Sequence, residues 1–211
     1  MNDWAFSDKM VGDTFDKHVE GQLPFYGMLT DAVAFITRNY APQDGVVYDI
    51  GASTGNISRA ISSIQKSRNL KIISIESSAD MVKTWKGEGE IICGDATKIN
   101  YEPFDVAILF LTLMFIPVSQ RAGLISELKK KKKVGGCIII VDKIFPANDY
   151  MGMILRRLTF NWKNNSGVPA EQVISKELSL SGIQRPVTEN DIGYEHTEFF
   201  RMGEFCGWVI Q

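Results

Sequence analysis

The sequence predicts a doubly wound α/β domain: a seven-stranded, mostly parallel sheet with one antiparallel strand and helices on both faces. Three observations predict it. Short, β-branched and almost wholly apolar runs recur from residue 46 onward, and helix-like stretches separate them. The runs lack polar alternation, which marks strands covered on both sides, as in parallel sheets. The last two lie close together and read as a hairpin.

The elements follow in order. Residues 1–42 carry helical apolar spacing, with Phe15 and Val19, then Met28, Leu29, Val33 and Ile36, and are expected to form an N-terminal helical cap. Strands are predicted at Val46–Ile50, Lys71–Glu76, Ile91–Gly94, Val106–Leu111 and Cys137–Val141, with the first of them at the centre of the sheet. Helices are predicted at Asn56–Lys66, Ala79–Lys86 and Ser119–Lys132. The lysine run 129–133 closes the last of these before Gly135 and Gly136, where cations suit the helix dipole. Residues 145–190 are expected to be a helical insertion that caps the site, with a turn at 164–167. Tyr194–Phe200 and Phe205–Ile210 form the hairpin, which places one antiparallel strand at the sheet edge. One domain spanning 1–211 is expected from the length.

Composition narrows the function. The chain has 45% hydrophobic and 23% charged residues and a net charge of −2, so non-specific nucleic-acid binding is not expected. No apolar run approaches the ~20 residues of a membrane span, and the polar N-terminus lacks a signal core. Cys93, Cys137 and Cys206 are odd in number, sit in apolar runs and show no metal-type spacing. They are expected to be buried thiols in a cytoplasmic protein.

The segment VVYDIGASTGNIS, residues 46–58, carries the chemistry. A strand enters a tight glycine-rich turn, and a helix starts near Asn56. Gly51 and Gly55 permit the sharp turn and the close approach of a ligand, to which the helix offers unpaired N–H groups. Asp49 at the strand end suits a cationic amino group, held directly or through water. That favours the amino-acid end of S-adenosylmethionine (SAM) over a pyrophosphate. The dinucleotide pattern G-x-G-x-x-G fails at Ser53 and Asn56. Residues 51–55 also spell G-x-S-x-G, with Asp142 and His196 in the chain order of an α/β hydrolase using Ser53 as nucleophile. Another nucleotide, or a glycine turn without a ligand, completes the alternatives.

Later spacing favours SAM. Glu76 ends the second strand, 25 residues after Gly51, where a carboxylate accepts ribose hydroxyls. Cys93-Gly94-Asp95-Ala96 ends the third strand, with Asp95 suited to an adenine amino group. Phe110 and Leu111 at the end of the fourth offer an apolar face to a purine.

The order D-x-G-x-S-x-G, I-x-x-E, G-D-A resembles the class I SAM-dependent methyltransferases. Within them, residues 15–26 (FDKHVEGQLPFY), DIGASTGNIS, ISIESSADMV and ILFLTLMFIP look like the carboxy-SAM synthase group and its methyltransferase relatives. That group supplies carboxy-SAM for modifying the wobble uridine of tRNA. The resemblance runs from Phe15 to about Ile144 and more weakly over Tyr194–Ile210. It implies a Rossmann-like class I methyltransferase fold. It also implies that Tyr26, Gly51, Ala52 and Ser53 face the methionine end, Glu76 and Ser77 the ribose, and Asp95 and Ala96 the adenine. Met81 and Gly94 fall in the same motifs.

Two departures place carboxy-SAM second to plain SAM. Phe110 stands where the synthases carry asparagine, and only Val187–Gly193 separates Arg185 from the hairpin, too short for the helix whose arginine holds the extra carboxylate. Arg185 and Arg201 are the substitutes on offer. Methyl transfer needs orientation more than an acid or base, so no catalytic residue is assigned; Tyr26 and His18 are the candidates, ahead of His196. Trp162 and Tyr150 are expected to line the acceptor pocket. The acceptor, a small molecule or modified nucleotide, is left open, and a homodimer is compatible with the sequence.

Overall fold

The computed structural model describes residues 19–145 and 149–211. Its seven-stranded sheet has the order β3-β2-β1-β4-β5-β7-β6. The strands are β1 (Val46–Ile50), β2 (Lys71–Glu76), β3 (Glu90–Cys93), β4 (Phe104–Phe110), β5 (Lys132–Lys143), β6 (Thr197–Met202) and β7 (Phe205–Ile210). Neighbours among β1 to β5 pair in parallel, and β7 runs antiparallel to both β5 and β6.

Alternate residues of each strand feed two cores, because successive side chains point to opposite faces. Tyr48, Ile50, Ile73, Ile75, Ala107, Leu109, Ile138 and Ile140 pack on one side, beneath α5 (Val118–Lys131) with its Leu124, Ile125 and Leu128. Val47, Ile72, Val106, Ile108, Ile139 and Val141 pack on the other, beneath α1 (Tyr26–Tyr40), α2 (Asn56–Ala60) and α3 (Ser62–Arg68). In α1 the buried Leu29, Val33 and Thr37 fall four residues apart on one stripe. The remaining helices are α4 (Ala79–Lys83), α6 (Tyr150–Asn165), α7 (Ala170–Ser179) and α8 (Glu189–Ile192). Side chains cap several starts: Ser78 accepts from the Met81 N–H, Asp149 from Met151 and Gly152, and Thr188 forms a capping box with Asp191.

Four sequence expectations are corrected. The hairpin does not leave its antiparallel strand at the edge, because every residue of β7 is buried while β6 is exposed or half-buried throughout. The more apolar strand takes the interior, and β6 becomes the edge. The central strand is β4, flanked by β1 and β5. The predicted helix Asn56–Lys66 breaks at Ile61, whose φ of −95° and ψ of 6° interrupt the ladder. Cys93 is exposed, because β3 is the other edge strand; Cys137 and Cys206 are buried.

Candidate active site

Strand order reverses between β1 and β4, and α/β sheets open a ligand crevice at such a point, beyond the carboxyl ends of the strands. A cavity of about 250 Å³ lies there. Gly51 and Ser53 after β1, Glu76 and Ser77 at the end of β2, Phe110, Leu111 and Thr112 after β4, and Lys143 at the end of β5 line its floor. Leu23 and Tyr26 cover it from the N-terminal segment, and α6 and α7 with residues 180–184 close the remaining side.

The turn after β1 is built mainly from internal bonds. Gly51 and Ala52 N–H donate to the Ile75 carbonyl at 2.8 and 2.9 Å, and Gly55 N–H donates to the Ala52 carbonyl at 2.8 Å. The glycines make room for protein rather than ligand. A Cβ on Gly51 (φ 76°) would lie 2.3 Å from Thr112 Oγ1, and one on Gly55 (φ 90°) would lie 2.5 Å from the Gly87 nitrogen. Thr112 in turn donates to the Ile50 carbonyl, tying the ends of β1 and β4 together. Two non-glycine residues in the lining, Ser53 (φ 50°) and Leu111 (φ 56°), are left-handed. For a leucine that conformation costs roughly 1–2 kcal/mol, and such strain gathers at functional sites.

Glu76 joins the two loops at the mouth. Its Oε2 accepts from the Ser53 N–H at 2.9 Å and its Oε1 from the Ser78 N–H at 2.8 Å. Tyr26 stands edge-on to Phe110 with ring centroids 5.5 Å apart. Ser53 Oγ is buried and makes no hydrogen bond among the described residues.

Asp49 is placed differently from expectation. It lies 1% exposed beneath the turn, outside the cavity lining, with Oδ2 lacking a hydrogen-bond partner. Burial raises its pKa to about 7 against the opposing pull of the Ser58 N–H, and nearby Glu76 raises it further. The pKa is higher in the fold than in the unfolded chain. The associated stability is therefore full below about pH 4 and is lost as pH rises towards 7, by about 4 kcal/mol. Urea unfolding across that window should show a smaller loss in Asp49→Asn than in the wild type, because the buried Asp142, also raised to about 7, contributes a loss of its own in both. Parallel curves would mean that Asp49 is already ionised in the folded protein.

Asp95 and Ala96 also lie outside the lining, as do Ala52, Gly55, Met81 and Gly94. The Asp95 carboxylate accepts from the Thr97 N–H and hydroxyl and pairs with Lys98 at 3.1 Å. Met81 is 1% exposed. Trp162 packs edge-on against Phe25 at 5.6 Å, and Tyr150 is 69% exposed, so neither lines the cavity. Arg185 is exposed and Arg201 pairs with Glu198 on the edge strand; neither reaches the cavity. Before the hairpin stands only the single turn α8. His18 lies outside the described residues.

The hydrolase constellation does not assemble. His196 Nδ1 meets the Tyr194 carbonyl at 2.8 Å, with its ring against Trp208, and Asp142 accepts from the Met114 and Lys143 N–H groups. Among the described residues no imidazole meets Ser53 Oγ. Sequence reading missed Gln22, Lys143, Lys163, Lys176 and Glu177, which also line the cavity.

Residues 48–140, the stretch from β1 to β5, match the methyltransferase domain family. A carboxy-S-adenosyl-L-methionine synthase from Staphylococcus epidermidis is 29% identical over 88% of this chain and 83% of its own. One from Ruthia magnifica is 28% identical over 94% of this chain and 85% of its own. Human N-acetylserotonin methyltransferase, solved with SAM, shares the fold with a TM-score of 0.59 at 12% identity, over 92% of this chain and 54% of that longer one. The likeness to that solved structure is one of fold. No described helix is long and apolar enough to cross a membrane.

Proposed function

We propose that the chain binds SAM in the switch-point cavity and transfers its methyl group to a small-molecule acceptor in the cytoplasm. The observation that carries this reading is the Glu76 carboxylate. It is only 9% exposed, lines the cavity, and spans the turn after β1 and the start of α4. Each carboxylate oxygen has lone pairs left after one N–H bond, and two ribose hydroxyls fit them. Ser77 stands next to it, while Ser53 Oγ, buried without a bond, supplies a polar atom for the methionine end.

SAM, when bound, supplies a methyl group already activated by the sulfonium. The protein then has to align an acceptor with that carbon and exclude water. Tyr26 and Phe110 form a rigid edge-on pair above the turn, and Leu23, Leu111, Met114 and Phe115 make the surrounding wall apolar. Tyr26, reaching over the cavity from the N-terminal segment, positions the reacting end; orientation rather than proton transfer is its role.

A second reading is a carboxy-SAM synthase-like enzyme of tRNA wobble-uridine modification. The names of the curated relatives support its carboxy-SAM synthase part over most of both chains, and the tRNA role is carried by the sequence resemblance alone. Native mass spectrometry of the purified protein, followed by calorimetry with SAM, tests both. Bound SAM or its demethylated product is expected; bound carboxy-SAM would favour the second reading, and no binding of either would overturn both.

A further inference from the structure

Arg121, in α5, is 0% exposed, and its guanidinium serves three stretches of chain. Nε donates to the Ile116 carbonyl at 3.0 Å and Nη2 to the Met114 carbonyl at 3.4 Å, both in the loop after β4. Nη1 donates to the Pro186 carbonyl at 3.2 Å and Nη2 to that of Arg185, where the insertion ends. Nη1 also pairs with the Asp191 carboxylate of α8 at 3.1 Å. Every N–H of the side chain thus has an acceptor.

These bonds converge on Met114. Its carbonyl also accepts from the Arg185 N–H at 2.8 Å, and its own N–H donates to the buried Asp142 at 3.2 Å. Met114 and Phe115 line the cavity from the sheet side, whereas Ile183 and Gln184, next to Arg185, line it from the insertion. One guanidinium therefore ties two walls of the cavity together. A buried guanidinium is costly, and apolar residues of similar volume in its place are often neutral or stabilising. What it supplies here is reach, because one planar fork spans carbonyls from both walls. The chain just before Met114 also needs an outside hold. Leu111 is left-handed at φ 56°, and such strain persists only where the surroundings over-determine it.

We propose that Arg121 is a positioning residue for methyl transfer: by tying Met114 to residues 185–186 it fixes the spacing of the two walls that close on cofactor and acceptor. The side chain is absent from the cavity lining, so it acts through Met114 and Ile183. The consequence for transfer rests on the methyltransferase reading of the cavity; the tie between the walls does not.

Two substitutions separate positioning from stability. Arg121→Lys keeps a cation for Asp191, but a single ammonium cannot reach carbonyls in both walls. Asp191→Asn removes the ion pair, keeps an oxygen for the Thr188 cap and leaves the four carbonyl bonds in place. Hydrogen-exchange mass spectrometry is run on the wild type and both variants, with and without S-adenosylhomocysteine, and thermal melts report stability. In the wild type S-adenosylhomocysteine is expected to slow exchange in residues 112–117 and 183–187 together. Arg121→Lys is expected to exchange faster in both stretches without ligand, to lose the shared protection, and to bind S-adenosylhomocysteine roughly tenfold more weakly. Asp191→Asn should keep the shared protection and bind within about twofold of the wild type, even where it melts as low as Arg121→Lys. Wild-type affinity and exchange in Arg121→Lys overturn the proposal. So does an affinity loss in the two variants that follows their melting temperatures alone. If S-adenosylhomocysteine does not bind the wild type, the methyltransferase reading falls and exchange without ligand decides the tie. Faster exchange in both stretches of Arg121→Lys then upholds it, and faster exchange in one alone removes it.

Discussion

Gly55→Ala is expected to destabilise the fold by about 3–4 kcal/mol, counting a left-handed backbone and an overpacked contact together. Gly55 has a φ of 90°, and its added Cβ would meet the Gly87 nitrogen at 2.5 Å, the Gly87 Cα at 2.6 Å and Trp85 Nε1 at 2.9 Å. Two of those atoms are backbone and cannot swing away. The strand-to-helix turn would have to separate from the segment 85–87, which also supplies the Lys86 N–H to the Thr54 carbonyl. For a chain of this size the melting temperature should fall by roughly 6–15 °C. Gly123 in α5 is the control: a Cβ there meets nothing within 4 Å, and alanine should stabilise by about 0.5–1 kcal/mol. Equal melting of Gly55→Ala and wild type would mean that the turn relaxes at no cost.

The same glycine shows what sequence can and cannot convey. A glycine in a turn announces a special backbone or a close approach, and both hold at Gly55, but the approaching group is the protein's own segment 85–87. The parallel strands were legible because Val46–Ile50, Lys71–Glu76 and the run within β4 are apolar without alternation. The order of the hairpin was also written there: FCGWVI is more apolar than TEFFRM, and burial assigns it the interior place. The left-handed Leu111 carries no residue-type signal, since leucine is not a turn former. Asp95 is ambiguous for a local reason: an Asp two residues before Thr97 fits a cap as well as a ligand. The lysine cluster was invisible because residues 143, 163 and 176 are far apart in the chain, and each alone reads as a surface cation. Only the packing of α6 and α7 over the end of β5 brings them to one wall.

Glu76→Ala should weaken SAM binding by about 1.5–3 kcal/mol, or roughly 10- to 150-fold, the range for hydrogen bonds to a charged group. The same substitution leaves the Ser53 and Ser78 N–H groups without their present acceptor, so stability should also fall by about 1–3 kcal/mol for each group that water cannot reach. The two effects must be read apart. Glu76→Gln keeps the volume and one acceptor oxygen but turns an NH2 group towards one backbone N–H, whereas Glu76→Asp keeps the charge and withdraws it by one methylene. If the carboxylate holds the ribose, affinity should follow the order wild type, then Asp or Gln, then Ala, with SAM and S-adenosylhomocysteine affected alike, because both carry the same ribose. If Glu76 only fixes the loops, calorimetry below the melting point of each variant should show affinity tracking stability, and raising stability with a neutral osmolyte should restore binding to Ala. Affinity that stays low in the stabilised Ala variant assigns the ribose to Glu76; full recovery places it elsewhere in the cavity.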